Sequence, residues 1–387
     1  MPAMVLERLK LRHFRNYASA ELELFPGKNV LSGDNGQGKT NVLEAVYLCG
    51  TGSSYRTTRD ADLITWGESG FYAACRFIRR REPLFVEVGC TREAGKTIKI
   101  NGVPHEASVE NICAANVVVF GPDDLRMIKG GPVERRRFLD TEIGAVSEGY
   151  RRDLSAYRRI LAQRNAFLKD KRYDSMPAAR RDPALDVWDE QLAAAGARVM
   201  VKRAEAIKKL SVLAKVAHRH ISPDGTLEMV YRPSFYVGMG AVAKTRGDDG
   251  ETLRKWEEAF RRELEKVRPE ELMRGVTLVG PHRDEVSFIV DGVDMRVFGS
   301  QGQQRSVLLA VRLGELEFVK SEVGEDAILL LDDVSSELDP GKRARLWEYL
   351  NDRVQTIITT TDERLLGDTG GPVKRFRVRA GRVEEVR

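Results

Sequence analysis

The 387 residues include only four cysteines, Cys49, Cys75, Cys90 and Cys113, and no two of them form a CxxC pair. That spacing excludes the common zinc modules and points to reduced, buried thiols. No run of 18 apolar residues occurs, so no transmembrane helix is expected. The N-terminal Met-Pro-Ala-Met leads into an alternating strand, not into a basic region and an apolar run. No secretory leader is expected, and a cytoplasmic location follows. Internal repeats and long heptad arrays are also missing, which excludes solenoids and extended coiled coils.

What is present is an ordinary globular composition, 42% hydrophobic and 31% charged, with a net charge of +5. That balance permits a nucleic-acid partner without implying one. The first third alternates short strands and turns up to Val117–Phe120. From about Val133 to Ile221 the chain reads as helical and rich in Arg and Ala. A strand at Leu227–Tyr231, a polar loop at Gly238–Gly250 and a helix over about Glu251–Val267 follow. The last third predicts a hairpin of Val286–Val290 with Met295–Phe298, a helix over Gln303–Val319, and strands at Ala327–Leu331, Val354–Thr359 and Arg375–Val378. This order predicts one α/β nucleotide-binding head, built from residues 1–130 and 273–387 and interrupted by a mainly helical insertion over 131–272.

Gly33-Asp34-Asn35-Gly36-Gln37-Gly38-Lys39-Thr40 fits G-x-x-x-x-G-K-[ST], between a predicted strand and a helix that continues through Asn41. The glycines let backbone N–H groups converge on phosphate oxygens. Lys39 brings charge to the β- and γ-phosphates, Thr40 offers a hydroxyl to Mg2+, and the helix start favours the anion. A metal site needs a carboxylate at the end of a neighbouring strand. Asp332, after Ile328-Leu329-Leu330-Leu331, supplies it, and Asp333 would orient an attacking water.

Lys39 and Asp332 stand near opposite ends of the chain with a helical segment between them, the arrangement of ABC-type ATPases of the SMC and Rad50 kind. NKxD, the base-reading motif of GTP-specific proteins, is missing, which favours ATP. Such a site is completed in trans by a serine-glycine motif at a helix start. Ser300-Gln301-Gly302-Gln303-Gln304-Arg305 answers that demand, with Ser300 set against a partner's γ-phosphate. Ser336-Glu337-Leu338-Asp339 resembles the loop that lines the same dimer interface. Thr359-Thr360-Thr361 holds the place of a transporter's switch histidine.

With these motifs, the chain resembles the RecF recombination mediator family over essentially its whole length. The stretches that carry the resemblance are LRHFRNY (11–17), GDNGQGKTNVL (33–43), SYR (54–56), FGPDDL (120–125), KGGPVERRRFLD (129–140), GPHRD (280–284), GSQGQQR (299–305) and LLLDDVSSELD (329–339). One departure is Gly121, where serine or a similar small residue is expected before Pro122. The resemblance implies an ATP-dependent DNA-binding protein with Mg2+ as its metal. It also implies a homodimer with ATP sandwiched between subunits, weak hydrolysis used as a timer, and RecR- and RecO-type partners. Together these would promote RecA loading at single-strand gaps bordered by duplex. By analogy with Rad50-type heads, Arg15 and Asn16 would lie near the nucleotide.

The charge is concentrated in the insertion. Residues 151–181 hold ten basic residues (Arg151, Arg152, Arg158, Arg159, Arg164, Lys169, Lys171, Arg172, Arg180 and Arg181) against three acidic ones. Such a surface neutralises phosphates without reading bases, although a charge run is also what a solvated helix face looks like. Arg56 and Arg59 are alternative DNA contacts in the head. Arg135, Arg136 and Arg137 are candidates for ion pairs between domains, and His282 and Arg283 for a structural corner. Two further readings compete. A transporter ATPase subunit needs a membrane partner and usually the switch histidine, and a small-molecule kinase needs no ATP-dependent dimer.

Overall fold

The computed structural model describes residues 4–105, 113–170, 178–222, 225–237, 249–334, 338–350 and 353–386, without the side chains of 178–182 and 249. The chain divides into two compact units. The first comprises Met1–Lys129, Val212–Leu227 and Phe298–Arg387, and the second Gly130–Ser211 and Glu228–Val297.

The first unit holds two six-stranded sheets. One is antiparallel throughout, formed by β1 (Val5–Phe14), β2 (Tyr17–Glu23), β4 (Gly70–Arg79), β5 (Glu82–Thr91), β6 (Gly95–Ile100) and β7 (Val103–His105) in the order β2-β1-β4-β5-β6-β7. Leu9 and Leu11 of β1 point inward while Lys10 and Arg12 face solvent, the alternation of a sheet with one wet face. The other sheet is mixed and contains β3 (Lys28–Ser32), β8 (Val117–Phe120), β12 (Ile328–Leu331), β13 (Thr356–Thr360), β14 (Val373–Arg379) and β15 (Arg382–Val386). Its order is β15-β14-β3-β13-β12-β8, and only β14–β15 pairs antiparallel. β3, β12 and β13 are buried at every residue, as central parallel strands are. Helix α1 (Lys39–Thr51) packs Val42, Leu43, Val46 and Cys49 into a core shared with Leu9, Phe14 and Phe77 of the first sheet and Leu31, Leu330 and Ile357 of the second. Next comes the short α2 (Leu125–Lys129).

The second unit contains α3 (Pro132–Val146), α4 (Glu148–Lys169), most of α5 (Ala178–Ile221), and α6 (Asp249–Arg274), with a sheet of β9 (Leu227–Arg232), β10 (Glu285–Val290) and β11 (Val293–Asp294) in the order β11-β10-β9. This unit runs to Val297, past the expected boundary at 272, because β10 pairs with β9. Helix α6 likewise continues beyond Val267 through Pro269. The expected strand Met295–Phe298 is not formed. Asp294 accepts from the Arg296 N–H at 2.8 Å and from the Val297 N–H at 3.2 Å, a turn that ends the hairpin at β11. The first unit is completed by α7 (Gln301–Val323) and α8 (Pro340–Leu350).

Candidate nucleotide site

β3 ends at Ser32, and the chain crosses Gly33–Gly38 into α1. Two glycines are dictated by space and backbone. Gly33 (φ 155°) lies so close to the Val378 carbonyl that a Cβ would overlap it. At Gly38 (φ 118°) a Cβ would fall 2.7 Å from Asn16 Oδ1 and 2.9 Å from the Tyr17 hydroxyl. The loop is held from outside. Tyr17 donates to the Gly38 carbonyl at 3.0 Å and Asn16 Nδ2 to the Gln37 carbonyl at 2.9 Å. The Ala380 N–H reaches Gln37 Oε1 at 2.7 Å, and Asn41 Nδ2 reaches Asn16 Oδ1 at 2.8 Å. Asp34, Asn35 and Gly36 form the exposed crown.

No side chain caps the start of α1; the Asn41 N–H turns back to the Gly38 carbonyl at 3.0 Å, and the helix start ahead of it offers its N–H groups and dipole to an anion. Lys39 is buried and folds back to donate to the carbonyls of Gly33 (2.6 Å) and Asp34 (2.8 Å). Burial draws its ammonium pKa down, and Asp333, Asp332 and Asp34 oppose that shift. A cation held only by neutral carbonyls, beside a helix start with no side-chain cap, is an arrangement that suits a phosphate.

Across the sheet, Thr40 Oγ1 donates to Asp332 Oδ1 at 2.9 Å. Thr359, on the strand between β3 and β12, donates to the same oxygen at 2.6 Å and accepts from the Asp333 N–H at 2.9 Å. Burial pushes the Asp332 carboxyl up, opposed by the hydrogen bonds from Thr359 and Thr40 and by Arg56. Asp333 has a left-handed backbone (φ 49°), a strained position for a residue other than glycine. Among the described residues no group of three or more His, Cys, Asp or Glu side chains is placed to hold a metal. Thr40 and Asp332 bring a hydroxyl and a carboxylate together here, hard oxygen donors of the kind that suit Mg2+.

On the buried side of α1 sits Glu44, a fully buried acid that the sequence reading passed over. It accepts from Arg15 (2.9 and 2.7 Å), Arg56 (3.1 Å) and Ser54 (2.6 Å). Arg56, a DNA candidate, is thus turned toward Glu44 and Asn41. Arg15 (φ 54°) also donates to the Asp62 carbonyl. An acid inside the apolar face of a helix was the available signal.

Ser300 is the exposed N-cap of α7. Its hydroxyl accepts from the Gln303 N–H at 3.3 Å, and Gln303 Oε1 accepts from the Ser300 N–H at 2.9 Å. Among the described residues, no hydrogen bond of Ser300, Gln301 or Gly302 reaches the phosphate loop. Ser336 and Glu337 lie outside the described residues, while Asp339 accepts from the Lys342 N–H at 3.0 Å.

The basic stretch is only partly a surface. Arg164 is fully buried between Asp189 (2.8 Å) and Glu271 (2.7 Å), which removes it from the phosphate-facing set. Arg151 donates to the Gly144 carbonyl, and Arg158 pairs with Asp140 at 3.2 Å. Arg59, Arg152, Arg159 and Lys169 are exposed. Lys171 and Arg172, and the side chains of Arg180 and Arg181, lie outside the description. Arg135 and Arg136 find partners inside the second unit, at Glu285 (2.6 Å) and the Asp284 carbonyl (2.8 Å). His282 takes the Tyr157 hydroxyl at 2.6 Å on Nδ1 and donates from Nε2 to the Thr277 carbonyl at 3.1 Å. Burial lowers its pKa to about 4.

No described helix is long and apolar enough to cross a membrane. The family described as "RecF/RecN/SMC N terminal domain" matches residues 5–383. The DNA replication and repair protein RecF of Symbiobacterium thermophilum is 43% identical over 387 residues, 98% of each chain. The solved structure of the recombination mediator protein RecF-ATPrS in the RecFOR pathway matches with a TM-score of 0.86 at 32% identity, over 100% of this chain and 99% of that one. An Smc head bound to the C-winged helix domain of ScpA gives 0.55 at 15% identity, over 100% and 97% of the two chains, a likeness of fold alone.

Proposed function

The chain belongs to the RecF family, and from that premise we propose that it is an ATP-dependent DNA-binding recombination mediator that dimerises around ATP. Its fold is that of an ABC-type P-loop ATPase head with an inserted, mainly helical part. The observation that carries the reading is the 2.9 Å contact of Thr40 with Asp332 beside an uncapped helix start. Segments remote in sequence make one phosphate-and-metal site. Two solved relatives, RecF-ATP and RecF-ATPrS, support ATP as the nucleotide.

Lys39 exchanges the Gly33 and Asp34 carbonyls for phosphate oxygens, and the loop N–H groups close on the β-phosphate. Thr40 and Asp332 would hold Mg2+, which when bound supplies positive charge against the phosphates. Asp333 accepts a hydrogen bond from water and orients it toward the γ-phosphate. Ser300, Gln301 and Gly302 of a second copy cap that phosphate and close the site. Slow hydrolysis reopens the dimer. Arg152, Arg158 and Arg159 are exposed DNA candidates on α4 and Arg56 and Arg59 in the head, while Arg151, half-buried, contributes only after leaving the Gly144 carbonyl. RecR- and RecO-type proteins and RecA loading at gaps complete the proposed role.

The transporter reading loses support because Thr359, at the switch position, is tied to Asp332. Anisotropy of a labelled gapped duplex tests the proposal. DNA binding should tighten with ATP and fall steeply with salt. Lys39→Arg should keep much of the nucleotide binding and lose hydrolysis. DNA affinity indifferent to nucleotide would sink the reading.

A further inference from the structure

The FGPDDL stretch, which the nucleotide chemistry leaves unused, sits directly against the metal carboxylate. The Asp332 N–H donates to the Phe120 carbonyl at 2.8 Å. A Cβ at Gly121 would fall 3.3 Å from the Asp332 Cβ, so this position tolerates only a small residue. Asp124 then folds back, and its Oδ2 accepts from the Gly121 N–H at 3.0 Å. Its other oxygen, Oδ1, accepts from Arg312 NH2 at 3.0 Å. Arg312 is nearly buried on α7, the helix whose exposed tip is Ser300, and also donates to the buried Glu315 at 2.8 Å.

An unbroken series of contacts therefore runs from Asp332 through Gly121 and Asp124 to Arg312, all within the first unit. Two residues beyond Arg312, Gly314 meets the Ala214 backbone so closely that a Cβ would lie 2.7 Å from its nitrogen. The helix is closely packed there, and at a rise of about 1.5 Å per residue Ser300 lies about 18 Å along it from Arg312.

We propose that Asp124 and Arg312 are a positioning pair that transmits the loading of the Asp332 site to the Ser300 end of α7 in the same subunit. ATP and Mg2+ in one protomer then set the signature motif that this protomer offers to its partner's nucleotide. The inference rests on the ATP-dimer reading above. It adds that each subunit's own nucleotide prepares the surface it presents in trans, so that doubly loaded pairs dimerise and singly loaded pairs do so weakly.

The test uses the full chain with ATP and Mg2+. Nucleotide affinity is read by titration at concentrations where the protein is monomeric, and dimerisation by light scattering. Arg312→Gln and Asp124→Asn should leave monomer ATP affinity within about threefold and weaken ATP-induced dimerisation about tenfold or more. The double variant should be no worse than either single one, and Arg312→Lys should recover part of the loss. Multiplying effects, or singles that dimerise as the wild type does, would overturn the pair.

Hydrogen exchange on the unmutated monomer gives a second arm that does not depend on variants folding. ATP should change protection at residues 301–306, and unchanged exchange there overturns the proposal. If the wild type fails to dimerise with ATP, the functional reading falls instead, while the exchange arm still decides the coupling.

Discussion

Thr359→Val replaces a hydroxyl by a methyl of similar shape at the centre of the site. The hydroxyl is fully buried, donates to Asp332 at 2.6 Å and accepts from the Asp333 N–H at 2.9 Å. Losing a hydrogen bond to a carboxylate costs about 1.5–3 kcal/mol, and an unsatisfied buried N–H about 1–3 kcal/mol. Thr40 keeps its own bond to Asp332, and the two losses share one neighbourhood, so they do not simply add. A net destabilisation of about 2–4 kcal/mol is expected from these terms. Thr359→Ser keeps both bonds and should lose about 1 kcal/mol or less. Urea unfolding of the nucleotide-free chain measures this directly. Repeating it with ATP and Mg2+ should show a smaller ligand-induced gain for the valine variant, because Asp332 is no longer held toward Thr40. Equal stability of the valine variant and the wild type, or equal damage from serine and valine, would refute the reasoning.

Gly38→Ala forces a side chain onto a φ of 118° and against Asn16 and Tyr17, so ATP should no longer raise the melting temperature. His282, with a pKa of about 4 against an ordinary 6.5, binds its proton only on unfolding between those values. Its contribution is complete above pH 6.5 and is lost as pH falls toward 4, by up to about 3 kcal/mol, and His282→Gln should remove that part of the pH profile. Arg164→Ala leaves Glu271 buried without its cation, and Asp189 with Arg268 alone, and should cost about 3–5 kcal/mol in denaturant titration. Arg152→Glu and Arg159→Glu should leave stability within about 0.5 kcal/mol while lowering the salt slope of DNA binding by roughly one each.

The phosphate loop and the strand Ile328–Leu331 with the two aspartates that follow it were legible because each is a local pattern whose chemistry and backbone demands lie within a few residues. The helix after the loop and the strands of the first third follow from periodicity in the same way. What escaped notice depends on partners far away in sequence. Glu44 reads as one acid on an apolar helix until Arg15, Arg56 and Ser54 converge on it. Arg164 counts as surface charge until Asp189 and Glu271 bury it. Asp124 and Arg312 carry no signal of their pairing at all. The helix expected to end near Val267 continues as α6 through Pro269 to Arg274. The second unit's boundary near Val297 is fixed by a strand pairing between β9 and β10 that no local rule reveals.

Mass in solution, with ATP, Mg2+ and a gapped duplex present, tests the central claim most directly. The account predicts a monomer without nucleotide or with ADP, and a dimer with ATP that tightens on DNA. Ser300→Arg, which places a bulky cation where the partner's γ-phosphate should dock, should bind ATP as a monomer and form no dimer. A mass that ignores ATP, or a Ser300→Arg protein that dimerises normally, would contradict it.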